Sequence, residues 1–178
     1  LLRLMGEVTA AFDEGTPADV ADNALRPMGL PMTPFVLGAM VGLPVAQHVQ
    51  ESLHAAFGDR FPVSENLQKL IDNGVKSIWD PASVQAGKPM IPAETMALMS
   101  FGSTPSTSEE VLRRTQDALA EEIGLMLDEG VVAGPEDIDL CMILGAGWPM
   151  FLGGITPYLD RVGASERVNG KKFLAPGV

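Results

Sequence analysis

Two histidines and one cysteine are the side chains of this sequence best suited to acid–base or nucleophilic chemistry. A metal or acid–base pair on one helix face needs a spacing of about three or four residues, and His48 and His54 are further apart. Neither has an obvious nucleophile beside it. Cys141 lies in an apolar helical segment, where we expect a small core residue. The sequence therefore predicts no catalytic residues and no metal ligands.

A glycine pair near the C-terminal end invites comparison with a phosphate-binding loop. Gly145 and Gly147 are followed by Trp148 and Pro149. A dinucleotide-binding fingerprint needs a further glycine, a preceding strand and a following helix. Here the preceding pattern is helical, and Pro149 has no amide hydrogen to donate. We interpret the segment as a turn between helices and predict no cofactor-binding residues.

Four aspartates have a structural explanation. Asp19, Asp22, Asp137 and Asp139 follow prolines that can begin helices. Carboxylates in a first helical turn offset the helix dipole. We therefore expect capping rather than catalysis from all four.

The elements that carry these residues form an internal repeat. A helical pattern ends in Asp-Glu-Gly at residues 13–15 and again at 128–130, and a Pro-acidic segment follows each time. Each copy then reaches a Gly-x-Pro-Met turn, at 29–32 and 147–150, with a short insertion within 131–134 in the second copy. Such self-similarity indicates a duplicated structural unit.

Composition limits the possible partners. The 178 residues are 46% hydrophobic and 6% aromatic, with 10 methionines and a net charge of −11. That charge argues against nucleic-acid binding, and no apolar run is long enough for a membrane span. One cysteine excludes an intrachain disulfide and fits a cytoplasmic location.

Helical signals dominate the chain, and the sequence predicts an all-α fold. We expect helices over residues 1–14, from Thr16-Pro17 to about Leu25, and from Pro34 and Leu43-Pro44 onward. Residues 75–107 are predicted to be irregular apart from a helix at 92–99. Ser108-Glu109-Glu110 should cap the clearest helix of the chain, and Thr156-Pro157 should begin the last one. The apolar pattern already runs at Leu1, so we expect the sequence to begin inside its first helix.

The repeated motifs resemble the C-terminal helical domain of 3-hydroxyacyl-CoA dehydrogenases. The segment from Gly29 to Phe35 is similar to that family's Gly-x-Pro-Met-Gly-Pro-Phe, with Thr33 in place of a glycine. Gly153-Gly154-Ile155 in the second copy resembles the multifunctional β-oxidation α-subunit. The family commonly has acidic residues where Val36 and Ala39 stand, and residues 75–107 match it poorly.

The resemblance implies a fold and a domain plan. The fold would be two tandem helical repeats about a pseudo-twofold axis, like the C-terminal domain of 6-phosphogluconate dehydrogenase. The repeats would cover residues 1–95 and 108–178, joined by a linker at 96–107. Gly15–Gly42 should then superpose on Gly130–Gly163.

The resemblance also implies a function. The parent protein would oxidise (S)-3-hydroxyacyl-CoA with NAD in fatty-acid β-oxidation. The family's His–Glu pair, NAD-binding glycines and substrate-contacting Asn precede the helical region and are not found in this chain. The chain alone should therefore be inactive. Its partners would be nucleotide-binding and enoyl-CoA hydratase domains of the same protein, the acyl-CoA substrate and a thiolase subunit.

Within this chain the resemblance places the substrate cleft at the first Gly-x-Pro-Met turn. The candidate cleft residues are Met28, Pro31, Met32, Pro34 and Phe35. We expect them to be partly exposed, with burial inside their own repeat as the alternative. A different class of function also remains open, a non-enzymatic helical repeat scaffold that binds another protein.

Overall fold

The computed structural model describes residues 1–175, so the last three residues of the predicted second repeat lie outside the described part. Within it the chain forms eleven α-helices and no strand. The helices are α1 Leu2–Asp13, α2 Ala18–Asn23, α3 Pro34–Val41, α4 Leu43–Phe57, α5 Glu65–Asp72, α6 Pro81–Gln85, α7 Ala93–Leu98, α8 Ser108–Asp128, α9 Pro135–Ala146, α10 Ile155–Arg161 and α11 Ala164–Asn169. Single 3₁₀ turns occupy Arg26–Met28, Gly58–Arg60 and Met150–Leu152. The predicted all-α fold is confirmed.

Local sequence explains most helix ends. Proline stands at the first or second position of α3, α4, α6 and α9, where its missing amide hydrogen costs no hydrogen bond. Ser64 caps α5 as an N-cap serine should, by accepting a hydrogen bond from the Leu67 amide. The cap of α8 is Thr107 rather than the expected Ser108-Glu109-Glu110, and Thr107 forms a capping box with Glu110.

Three stretches differ from the sequence-based expectation. The helix expected from Thr16-Pro17 to about Leu25 ends earlier, at Asn23, and a 3₁₀ turn follows. The connector contains α6 as well as the predicted helix, because Asp80 caps α6 through the Ser83 amide. A further helix, α11, follows α10 beyond the one predicted to be last. Helices α2, α6 and α11 are each too short to show a clear apolar period.

The core joins both halves of the chain. Helix α1 packs against α8, and α8 packs against α11. Leu4, Val8 and Phe12 are buried on α1, and Val111 and Ile123 are buried on α8. All five belong to one hydrophobic cluster. The predicted domain limits stay a prediction, and the limit at residue 95 falls inside α7.

No helix within residues 1–175 is long and apolar enough to cross a bilayer.

Candidate functional site

The first half of the chain contains an apolar cavity between α1, α3 and α4. It encloses about 180 Å³. Its walls are mostly aliphatic side chains and helix glycines, including Met5, Gly6, Leu37, Gly38, Val49 and Leu53. Leu1, Val41 and Val45 line it as well and are exposed on the surface. The space can hold an apolar ligand that enters past these side chains.

Most polar groups beside this cavity have partners inside the protein, and Arg3 Nε is the exception. The Thr9 hydroxyl donates to the Met5 carbonyl at 3.0 Å. The Gln50 side-chain carbonyl accepts from the Ser64 amide at 3.3 Å. Arg3 pairs with the carboxylates of Glu7 and Glu121. The cavity therefore favours a hydrocarbon group over a polar one.

A second, more open depression lies beside the first Gly-x-Pro-Met turn. It is bounded by Pro31, Met32 and Leu37 from the first half and by Gly145 and Gly147 from the second. Pro34 borders both this depression and the apolar cavity. Leu1, Met5 and Leu37 also border both, so residues of α1 and α3 separate the two spaces.

Asp22 fixes the start of α3. Its carboxylate accepts hydrogen bonds from the Phe35 amide at 2.7 Å, the Thr33 hydroxyl at 2.7 Å and the Trp79 indole at 2.8 Å. Burial raises the pKa of Asp22 above its ordinary value of 3.8, and the three hydrogen bonds oppose that rise. One buried carboxylate thus ties α2, α3 and the segment at Trp79 together.

Asp139 has the corresponding role in the second half. It accepts from the amide of Thr156 at 2.8 Å and from the hydroxyl of the same residue at 2.6 Å. Thr156 is the second residue of α10, just as Phe35 is the second residue of α3. Asp22 and Asp139 were expected to sit in first turns and offset the dipoles of their own helices. That expectation is wrong, because each caps the next helix instead.

The two Gly-x-Pro-Met turns touch each other reciprocally. A Cβ atom on Gly29 would lie 3.0 Å from Cγ of Pro149, and one on Gly147 would lie 3.1 Å from Cγ of Pro31. Both glycines have positive φ angles, of 67° and 70°. Reciprocal contact is the pattern that a twofold axis produces. It supports the predicted pseudo-twofold relation, which stays a prediction.

Comparison with known proteins identifies the region that contains the cavity. Residues 1–79 match the family described as 3-hydroxyacyl-CoA dehydrogenase, C-terminal domain. Helices α1 to α5 lie within the matched residues. The predicted resemblance is confirmed.

Relatives extend the similarity to nearly the whole chain. Fatty acid oxidation complex subunit alpha of Shewanella amazonensis is 30% identical over 171 residues, which is 92% of this chain and 24% of that protein. The subunit of the same name from Idiomarina loihiensis is 30% identical over 178 residues, or 96% of this chain and 25% of that protein. The chain thus spans about a quarter of the length of these relatives.

A solved structure shows the same fold. The crystal structure of 3-hydroxybutyryl-CoA dehydrogenase from Escherichia coli K12 superposes with a TM-score of 0.61 at 18% sequence identity. The superposition covers 98% of this chain and 56% of that one. At this identity the likeness concerns the fold alone.

The structure distributes the five predicted cleft residues unevenly between the two spaces. Phe35 lines the apolar cavity, Pro31 and Met32 line the open depression, Pro34 lines both, and Met28 borders neither. Met28 and Phe35 are only 0% and 4% exposed, and Pro34 is buried too. The expected partial exposure is wrong for these three, and Met28 and Phe35 belong to the hydrophobic core cluster. The assignment of a substrate cleft to this turn stays a prediction.

The residues with reactive side chains lie apart from the cavity. His48 and His54 are both exposed on α4, and the Nδ1 atom of His54 lies 3.0 Å from the Phe61 carbonyl oxygen. Cys141 is exposed, which contradicts the predicted core position. No group of three or more His, Cys, Asp or Glu residues within 1–175 is placed to hold a metal ion.

Proposed function

We propose that this chain is the C-terminal helical part of an NAD-dependent 3-hydroxyacyl-CoA dehydrogenase that acts in fatty-acid β-oxidation. The longer protein converts (S)-3-hydroxyacyl-CoA and NAD to 3-oxoacyl-CoA and NADH. The supporting observation is an apolar cavity of about 180 Å³ inside residues 1–79, the region that matches the dehydrogenase family. This cavity receives the acyl tail, and the turn at Pro31 and Met32 borders the cleft.

The glycine pair of the second half does not fit an NAD site. Helix α9 ends at Ala146, so the glycine pair Gly145 and Gly147 closes a helix instead of opening one. Gly147 also packs on Pro31 of the other turn. We therefore assign NAD binding and the acid–base pair to a nucleotide-binding domain outside this chain, as the family resemblance implies.

The second half has a packing role in this proposal. Its helix α8 packs on one face of α1 and buries it. Gly147 and Pro149 contact the first Gly-x-Pro-Met turn. The further domains of the longer protein, which we expect to include an enoyl-CoA hydratase domain, cover additional surface. A thiolase subunit is proposed as an external partner, and the cytoplasm as the location.

One observation favours the alternative, a scaffold that binds another protein. Leu144, Met150 and Phe151 in the second half are 77%, 78% and 83% exposed. Exposed apolar side chains of this size often belong to contact surfaces. In the dehydrogenase proposal the same surface contacts the remainder of the polypeptide.

Activity measurements on two proteins test the dehydrogenase proposal. The longer polypeptide should oxidise NADH in the presence of acetoacetyl-CoA, and the 178-residue chain should neither do so nor bind NAD in a calorimetric titration. Turnover by the chain alone would show that the active site is inside it. A folded longer protein without turnover on acetoacetyl-CoA or 3-oxopalmitoyl-CoA would contradict the proposed activity and favour the scaffold.

A further inference from the structure

Two glycines lie inside helices without any of the usual reasons for a helical glycine. Gly6 is in α1 and Gly38 is in α3, and both are buried. Neither has a positive φ angle. A Cβ atom placed on either glycine would have no neighbouring atom within 4 Å beyond its own helix. Among the glycines of residues 1–175, only these two combine burial with such empty space.

The absence of a side chain at these positions weakens the helices. Glycine in a helix interior is less favourable than alanine because it loses more conformational freedom on folding. Close helix packing would justify that loss, but no atom approaches either position. What the two glycines share is the apolar cavity, which both of them line. Their effect is to keep that cavity open.

The size of the cavity sets the kind of ligand it can take. An apolar cavity of about 150 Å³ in another protein stays dry and holds benzene. The cavity here is of similar size, about 180 Å³. It therefore has room for roughly six carbon atoms of an acyl chain. The Thr9 hydroxyl, the Gln50 carbonyl and two of the three Arg3 nitrogens at its edge have partners in Met5, Ser64, Glu7 and Glu121, and only Arg3 Nε has none. The rest of the lining is apolar, so the cavity suits a hydrocarbon chain.

We infer that Gly6 and Gly38 determine acyl-chain length specificity by keeping open the cavity that receives the chain beyond its first four carbons. This inference rests on the proposed dehydrogenase function and adds a substrate class to it, acyl-CoAs of medium and greater length. A side chain at either position fills the space that the distal methylenes occupy. Substrates too short to reach the cavity do not depend on these positions.

The test measures kcat/KM of the longer protein for 3-hydroxybutyryl-CoA and 3-hydroxyoctanoyl-CoA. We expect Gly38→Leu to lower the octanoyl-to-butyryl ratio about 60-fold, since each of roughly three excluded methylenes contributes about fourfold. Gly6→Ala and Gly38→Ala should lower the ratio about fourfold each, by excluding about one methylene. Ala55→Leu is the matched control, because it adds bulk on the exposed face of α4 away from the cavity.

The outcomes separate this inference from the function it rests on. A wild-type protein inactive on both substrates contradicts the dehydrogenase function itself. An active protein whose ratio is unchanged in Gly38→Leu and in both alanine variants contradicts the role of the glycines alone. If Gly38→Leu fails to fold, the alanine variants decide, because alanine favours the helix and meets no atom at either site.

Discussion

Asp22 shows how a single carboxylate organises the first turn. It is 3% exposed and accepts hydrogen bonds from Phe35, Thr33 and Trp79. Two of those donors, the Phe35 amide and the Trp79 indole, belong to buried residues. Removal of the carboxylate would therefore leave donors without partners in the interior. The wall of the apolar cavity at Phe35 depends on this residue.

We expect Asp22→Ala to lower the free energy of unfolding by about 2–4 kcal/mol, because buried donors lose their acceptor. Asp139→Ala is the matched control in the second half. The Asp139 carboxylate accepts hydrogen bonds from one residue only, so we expect a smaller loss of unfolding free energy, about 1–2 kcal/mol. Urea denaturation of both variants measures the difference. Equal losses would contradict the special role of Asp22.

The pH dependence of the Asp22→Ala effect has a definite sign. The pKa of Asp22 is raised in the folded protein, so the folded state holds this proton more tightly than the unfolded chain does. The stability that Asp22 contributes therefore falls as the pH rises from 3.8 through the folded pKa. The loss in Asp22→Ala should be larger at the acidic end of that window than at neutral pH. A loss that grows with pH would contradict this assignment.

The Gly-x-Pro-Met turns are the elements at which the two halves meet beside the site. Each turn ends a helical segment with a glycine of positive φ, followed by a proline that packs on the glycine of the other turn. Glycine is needed here for two separable reasons, backbone conformation and space. Gly130 has a φ of 68°, close to the 67° of Gly29, but has open space around it. A comparison of Gly29 with Gly130 therefore separates the requirement for a left-handed backbone from the requirement for space.

Gly130→Ala should cost about 1 kcal/mol of unfolding free energy from the left-handed backbone alone. Gly29→Ala should cost about 1–3 kcal/mol more, since its Cβ would press on the ring of Pro149. Thermal melts followed by circular dichroism compare the two variants. Indistinguishable melting temperatures would mean that the turns do not pack tightly on each other.

At the scale of the whole molecule, α1 and α8 hold the two halves together through apolar packing and arginine–carboxylate pairs, among them those of Arg114. Arg114 on α8 donates to Glu14 at 2.6 and 2.9 Å and to Glu7 at 2.6 Å. The hydrogen bonds to Glu14 raise the pKa of Arg114 most, and the contact with Glu7 adds to that rise. In a chain with a net charge of −11, this cation also relieves repulsion between carboxylates.

Arg114→Leu should lower the free energy of unfolding by about 1–2 kcal/mol, because it removes a bidentate pair and leaves Glu7 with Arg3 alone. Arg113→Leu, one residue away and largely exposed, should change it by less than about 0.5 kcal/mol. Guanidinium chloride would screen the effect, so urea is the denaturant. A larger loss in Arg113→Leu than in Arg114→Leu would contradict the assignment.

Local sequence determined most of the helices and indicated the family resemblance. Prolines at first turns and glycines after last turns act within a few residues, so α3, α4 and α9 begin where the pattern predicted. The spaced motifs around Gly29 and Gly147 were sufficient to indicate the dehydrogenase resemblance. Helices α6 and α11 were missed because five or six residues carry too little periodicity.

Tertiary structure decided which side chains meet. Helix α9 is apolar on several faces, so its pattern could not show that Ile138 would be buried and Cys141 exposed. The partners of Asp22 lie as far away as Trp79, and no local signal joins them. The empty space in front of Gly6 and Gly38 exists only once α1, α3 and α4 are packed. Sequence acts locally through backbone preference, whereas burial, reciprocal contacts and cavities depend on residues far apart in the chain.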